Sequence, residues 1–288
     1  MSNLLEVTNV NVQFEHFRLN NISFALQEGC ITGFIGTNGS GKTTTIKAIL
    51  GLIQKNGGSV SFLGKEMDKH ERELKNRIGI VFDEGYFYDD MTLSEMKSII
   101  APAYTNWDEA IFQRYIQRFN LQLNQKISTL SKGMRMKYAI ALAMSHHADL
   151  LIMDEPTSGL DPLIRSELME LLLEFMNEEG KSVFFSTHIT SDLEKIADTL
   201  LMIDHGDILF HEDKDALLDS HALVKGDKKL LNERSESLFL SLQVTAYGFE
   251  GITRSIPEVQ QLMGNVHMEK PSIEAIMLAY IGGHRHAH

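Results

Sequence analysis

The stretch that most constrains this chain is Gly36-Thr37-Asn38-Gly39-Ser40-Gly41-Lys42-Thr43, which fits the phosphate-loop pattern G-x-x-x-x-G-K-[ST]. Its surroundings fit as well. Ile31, Phe34 and Ile35 read as a buried strand leading in, and the run from Thr44 to Leu50 reads as a helix leading out. Gly36, Gly39 and Gly41 let the backbone wrap closely around a polyphosphate, with successive N–H groups aimed at its oxygens at a helix N-terminus. The whole run, including Thr37, Asn38, Ser40 and Thr44, is therefore expected to bind the nucleotide. Lys42 brings a positive charge to the β- and γ-phosphates, and the Thr43 hydroxyl is placed to ligate Mg²⁺.

Such a loop needs a carboxylate on a neighbouring strand to order the metal. Leu150-Leu151-Ile152-Met153-Asp154 supplies one: four apolar residues, then an acid at the strand's C-terminal end. In an open parallel sheet that end faces the ligand crevice. Asp154 is expected to hold Mg²⁺, directly or through water. Glu155 follows at the same edge and is placed to polarise the water that attacks the γ-phosphate, help worth about 10²–10⁴-fold. A plainer reading is an acidic strand end that caps the next helix, and Pro156-Thr157-Ser158 suits it.

The rest of the chain sets these motifs in an α/β frame. Leu4 to Leu26 alternates apolar and polar residues, with turn signals at Asn9 and Asn20-Asn21, and reads as a small antiparallel sheet. Lys65 to Lys75 is charged and reads as solvent-facing. Ile78 to Phe82 is a short buried strand. Residues 90–147 read as a helical insertion, opened by the capping box Thr92-Leu93-Ser94-Glu95. Strands then alternate with helices from 150 to about 210, which implies a parallel sheet covered on both faces. The expected division is an ATPase unit over 1–220 and a small C-terminal extension over 221–288. The extension ends in a helix marked by Ile273, Ile276, Met277 and Tyr280; His284, His286 and His288 read as a polar tail.

Composition narrows the class. A net charge of −12 disfavours a general nucleic-acid binder. The single cysteine, Cys30, allows no intramolecular disulfide and agrees with a reducing compartment. Met1 to Glu6 shows no signal-peptide pattern, and no apolar run approaches the ~18 residues of a membrane span. The chain is expected to be cytoplasmic and peripheral at the inner face of the membrane. It should not insert directly into the bilayer, so any membrane connection would come through a partner.

Three further motifs identify a family. Leu130-Ser131-Lys132-Gly133-Met134, Ser158-Gly159-Leu160-Asp161 and Ser186-Thr187-His188 follow in the order and spacing of the nucleotide-binding subunits of ABC transporters, which the chain resembles from about residue 4 to residue 212. Phe82-Asp83-Glu84-Gly85-Tyr86 and Pro271-Ser272-Ile273-Glu274 further resemble the export-type ATPases of the bacitracin and acetoin transporter group. The resemblance implies a RecA-like P-loop core and an ATP sandwiched between two chains that close head to tail, as a homodimer or with a related subunit. Ser131 and the Gly133 amide would meet the γ-phosphate of the facing copy, and Asp161 would cross the seam. His188 would orient the water and Glu155. Phe14 would stack on adenine, with Phe17 a rival. Permease subunits would dock near Tyr86-Phe87-Tyr88-Asp89-Asp90-Met91, although these aromatics could equally pack on the helical insertion.

Three residues depart from the family pattern. Asp83 replaces a glutamine, and its carboxylate is expected either to be linked to Mg²⁺ or to swing away from phosphate. Lys132 replaces a glycine, placing its ammonium near the facing phosphate or turned aside. Met134 replaces a glutamine and loses that side chain's hydrogen bonds. An alternative reading is a soluble ABC ATPase of translation or DNA repair. Such proteins generally carry two cassettes or a long coiled-coil insertion, and neither pattern is visible here. A P-loop kinase or GTPase would not explain the later motifs.

Overall fold

The computed structural model describes residues 3–83, 86–264 and 266–284. Met1, Glu84, Gly85, His286 and His288, named above, lie outside the described residues. Strands β1 (Asn3–Gln13) and β2 (Arg18–Gln27) form an antiparallel pair. β3 (Ile31–Ile35) runs into the glycine loop and α1 (Lys42–Ile49). β4 (Gly57–Phe62) and the short β5 (Lys65–Glu66) return to the first sheet, whose order is β2-β1-β4-β5. Helix α2 (Met67–Lys75) leads to β6 (Ile78–Phe82).

Three helices follow: α3 (Leu93–Ile100), α4 (Glu109–Arg118) and α5 (Lys132–Met144). The chain then alternates through β7 (Leu150–Asp154), α6 (Pro162–Met176), β8 (Ser182–Thr187), α7 (Thr190–Ile196) and β9 (Thr199–Asp204). β10 (Asp207–Asp213) closes a second sheet of order β10-β9-β3-β8-β7-β6, parallel except for the β9–β10 hairpin. Beyond α8 (Lys214–Asp219) come β11 (Ala222–Gly226), α9 (Glu233–Glu236), β12 (Phe239–Val244), β13 (Phe249–Thr253), α10 (Ile256–Met263) and β14 (His267–Glu269). These four strands make a third, antiparallel sheet of order β12-β13-β11-β14, and α11 (Ile273–His284) ends the described chain.

The second sheet divides two apolar cores by strand alternation. On β7, Ile152 joins the first sheet and α1, whereas Leu151 and Met153 join the helices opposite. Every residue of β3, β7 and β8 is buried, as expected of parallel strands covered on both faces. Phe184 of β8 stacks on Phe34 at 5.2 Å and meets Phe24 of the first sheet at 5.7 Å. The terminal helix α11 returns Ile273, Ile276 and Ile281 to the helical core, so the extension is packed against the body of the protein.

Two expectations are corrected. Asn9 and Asn21 do not turn the chain. Both sit inside long strands with left-handed φ of 49° and 44°, and the β1–β2 register slips beside Asn9. These are bulges. Their missing ladder bonds are replaced by side chains: Asn11 and Asn21 exchange hydrogen bonds at 3.0 Å, and Asn9 donates its N–H to Ser23 Oγ at 2.8 Å. The charged stretch 65–75 is also not simply a solvated face, because α2 buries Met67 and Leu74 under the first sheet.

Candidate functional site

The parallel strands deliver their chemistry to one edge. The glycine loop follows β3, Asp154 ends β7, Glu155 follows it, and Thr187 ends β8 with His188 next. All of these are C-terminal strand ends, the edge where ligands bind in such sheets. A cleft of about 730 Å³ opens there, lined by Phe14, Phe17, the loop residues Thr37, Asn38, Gly39 and Gly41, then Lys42, Thr43, Thr44 and Glu155.

At Gly36 the loop leaves no room for a side chain. A Cβ on Gly36 would sit 2.4 Å from the Ile203 carbonyl oxygen and 2.5 Å from Ser40 Oγ. Gly41 caps α1 at a φ of 118°, which an L side chain rarely adopts. Buried Lys42 donates to the carbonyls of Gly36 at 2.8 Å and Thr37 at 3.2 Å, and pairs with Glu155 Oε1 at 3.0 Å. The other Glu155 oxygen lies 2.7 Å from His188 Nδ1. A single carboxylate thus joins the loop lysine to the strand-end histidine.

Ser186, first residue of the Ser186-Thr187-His188 motif, has a further role that the motif does not mark: it seats these acids. Ser186 Oγ donates to Asp154 Oδ1 at 2.6 Å, and the Glu155 N–H reaches the same hydroxyl at 2.9 Å. A serine inside a buried strand carries no marker of such a role. Glu15 and His16, in the β1–β2 turn, also line the cleft without having been marked by any motif. Glu155 adopts a left-handed φ of 50°, a conformation that costs a non-glycine residue on the order of 1–3 kcal/mol. Strain of this kind, held at a strand end that carries the site's acid, turns the carboxylate toward Lys42.

The residues present fit a nucleotide. Ser40 Oγ is buried in the loop with no hydrogen-bond partner among the described residues, and a phosphate oxygen is a natural acceptor for it. The first turn of α1 carries no acid. For Mg²⁺, no group of three or more His, Cys, Asp or Glu among the described residues could hold a metal alone. That suits an ion that takes one carboxylate, one hydroxyl and the substrate's own phosphates. Asp154 is buried, and the exposed Thr43 hydroxyl engages no other described residue.

The other expected contacts lie elsewhere. Ser131, Gly133 and Asp161 line a separate cavity of about 350 Å³, with Lys132, Met134, Lys137, Gly159 and Ile164. It shares no lining residue with the loop cleft. Ser131 caps α5, its Oγ accepting from the Met134 N–H at 3.2 Å. Asp161 caps α6, accepting from the N–H groups of Leu163 and Ile164 at 3.0 and 3.1 Å. Asp83 pairs with Lys132 at 2.6 Å, so two departures from the family pattern answer each other. Phe14 and Phe17 both line the loop cleft; Phe14 is 46% exposed. Of the aromatic run, Phe87 packs on Tyr138 at 5.2 Å while Tyr86 and Tyr88 remain exposed.

A family profile described as "ABC transporter" matches residues 19–158. The chain is 32% identical over 212 residues to the bacitracin transport ATP-binding protein BcrA of Bacillus licheniformis, covering 73% of this chain and 69% of that one. It is 32% identical over 205 residues to the ABC transporter ATP-binding protein NatA of Bacillus subtilis (strain 168), covering 69% and 83%. A solved structure described as the ATP binding subunit of an ABC transporter superimposes with a TM-score of 0.68 at 29% identity, covering 75% of this chain and 92% of that one.

Proposed function

The chain belongs to the ABC transporter family of ATP-binding proteins, and we propose that it hydrolyses MgATP at a seam between two chains to drive transport by separate membrane subunits, with residues 1–220 as the catalytic unit and 221–288 as an extension. The observation that carries this reading is Glu155, held between Lys42 and His188 above a glycine loop with an orphaned hydroxyl.

In the mechanism this geometry supports, the loop N–H groups and Lys42 hold the β- and γ-phosphates, and a phosphate drawing on Lys42 loosens its pairing with Glu155. Glu155 then accepts a proton from the water that attacks the γ-phosphorus in line. The P–O bond to the β-phosphate breaks, and its electron pair leaves with ADP. His188 holds Glu155 in place through Nδ1 and reaches the γ-phosphate. Mg²⁺, held by Thr43 and Asp154, would neutralise charge on the phosphate oxygens. Phe14 stacks on the adenine ring.

Within one chain, Ser131, Gly133 and Asp161 line a cavity that does not reach the loop cleft. A second copy or a related chain, turned head to tail, joins the two. Exposed Tyr86 and Tyr88 offer the membrane subunit an aromatic docking point. Among the described residues no helix is long and apolar enough to cross a membrane, so peripheral attachment at the inner face rests on that partner.

The test is ATP turnover against protein concentration, together with co-purification from membranes. Activity that rises with association, and recovery with a helical membrane protein, support the reading. Full activity in a strictly monomeric preparation overturns the shared site.

A further inference from the structure

We propose that Lys132 is a two-position cation that rests on Asp83 of its own chain and transfers to the terminal phosphate of ATP carried by a second copy. The inference rests on the shared site proposed above and assigns roles to two residues where this chain departs from its family.

The starting point is an imbalance of charge at the head of α5. Lys132, Arg135 and Lys137 all lie within its first two turns, and the first turn contains no acid. Cations at a helix N-terminus oppose the helix dipole. Each is therefore held by a carboxylate from another segment: Asp83 at 2.6 Å, Asp89 at 2.8 Å and Glu167 at 2.7 Å. The three pairs are not equivalent. The side chains of Arg135 and Lys137 are 26% and 16% exposed, but that of Lys132 is 41% exposed. Its stem runs over Gly159, where a Cβ would lie 3.5 Å from Lys132 Cδ and 3.3 Å from Nζ.

Lys132 thus sits in the cavity that holds Ser131 and Asp161, tethered by its tip alone. Asp161 has already committed its carboxylate to the N-terminus of α6. Asp83 Oδ1 is buried yet makes no aligned hydrogen bond with any described residue, so it meets Lys132 as a bare ion contact, while the Lys132 side chain stays 41% exposed; such a single contact is weak. A triphosphate offers more charge and stronger acceptors than Asp83. The exchange therefore runs toward the phosphate once the two copies close. Asp83 is the resting counter-ion: it keeps Lys132 folded onto its own chain until the nucleotide arrives. The occupant is a second copy because the loop cleft and the cavity share no lining residue, yet every copy carries one of each.

The experiment is MgATP-driven association of the full chain, made hydrolysis-deficient by Glu155→Gln and followed by sedimentation. In that background Lys132→Gln should weaken the dimer about tenfold or more, as loss of a charge-assisted bond does. Asp83→Asn should tighten it by up to about fivefold, because the competing carboxylate is gone. The exchange Asp83→Lys with Lys132→Asp is decisive. It keeps the bridge but turns a carboxylate toward the phosphate, so the dimer should be at least as weak as with Lys132→Gln. Recovery of wild-type association by the exchange would make the bridge purely structural and overturn the proposal, as would an unchanged Lys132→Gln dimer. A Ser131→Arg control separates the layers. If Ser131→Arg abolishes association and Lys132→Gln does not weaken it, only the role of Lys132 falls. If Ser131→Arg is also silent, or ATP drives no association at all, the shared site between two copies falls with it.

Discussion

The loop cleft and the signature cavity are built in opposite ways. Around the cleft, Lys42 and Asp154 are buried, Glu155 is nearly so, and each is held by partners in the glycine loop or at the strand ends. At the head of α5 the cations are held by half-exposed carboxylates from three different segments. A buried, multiply bonded site keeps its geometry without help. A site of exposed ion pairs can rearrange at little cost when a more highly charged partner arrives. Under the shared site proposed above, one chain carries one finished half-site and one that waits for its complement.

The contrast can be broken most directly at Glu155. Glu155→Gln should cut hydrolysis by about 10²–10⁴-fold while ATP binding persists, read by phosphate release and equilibrium binding. Loss of binding as well would mean that the cleft depends on this carboxylate for its shape.

The next largest effect concerns how the helix bearing the signature is anchored. Beyond the far end of α5, His146 is buried, stacks on Tyr104 at 3.8 Å and donates Nδ1–H to the Asn76 carbonyl oxygen at 3.1 Å, while Nε2 has no partner among the described residues. Burial lowers its pKa to about 4, only partly opposed by the Asn76 carbonyl. The folded protein therefore prefers the neutral ring, and the unfolded chain takes up a proton from about pH 6.5 downward. The stability this contributes is complete above about pH 6.5 and is lost as pH falls toward about 4, to the extent of about 3 kcal/mol. Melting of wild type and His146→Gln across that window should converge as the pH drops. A constant gap would place the orphaned nitrogen outside the acid response.

A smaller effect separates the two aromatics at the cleft mouth. Phe14→Ala should weaken ATP binding by about 1–3 kcal/mol, the value of a base on an aromatic face. The same loss in Phe17→Ala, with Phe14→Ala silent, would move the stacking role to Phe17. The smallest expected change is Tyr138→Phe. Its hydroxyl donates to the Leu93 carbonyl at 2.7 Å and ties α5 to α3, so melting should report a loss of about 1 kcal/mol with ATP binding intact.

The cleft was largely legible in the sequence because its chemistry is local. Glycine, lysine and threonine must stand at fixed offsets along one loop, Asp154 and Glu155 mark the end of an uninterrupted apolar strand, and His188 follows a strand with the apolar centre Val183-Phe184-Phe185. Ser186 was not legible, because its role depends on which strand lies beside it. The pairing of Asp83 with Lys132 joins two segments whose proximity is set by how α5 packs on the sheet, so each was seen as a departure and neither as a partner. Asn9 and Asn21 misled for a definite reason. Asparagine tolerates left-handed φ equally in a turn and in a bulge, and only the pairing of the strands decides between them. On α2, Met67 and Leu74 lie on either side of a kink at His70, where φ is −127° and ψ 26°, so no single helical period ties the two buried residues together and the charges between them dominate the sequence.

The φ of 50° at Glu155 also bears on how such a chain loses its function. Glycine and asparagine sit in that conformation more comfortably than glutamate. The substitutions most readily accepted by the backbone there are thus ones that discard the carboxylate proposed above as the proton acceptor. A population of these sequences selected for heat resistance alone would drift toward inert cassettes that still bind ATP, and only selection on turnover would keep the acid in place.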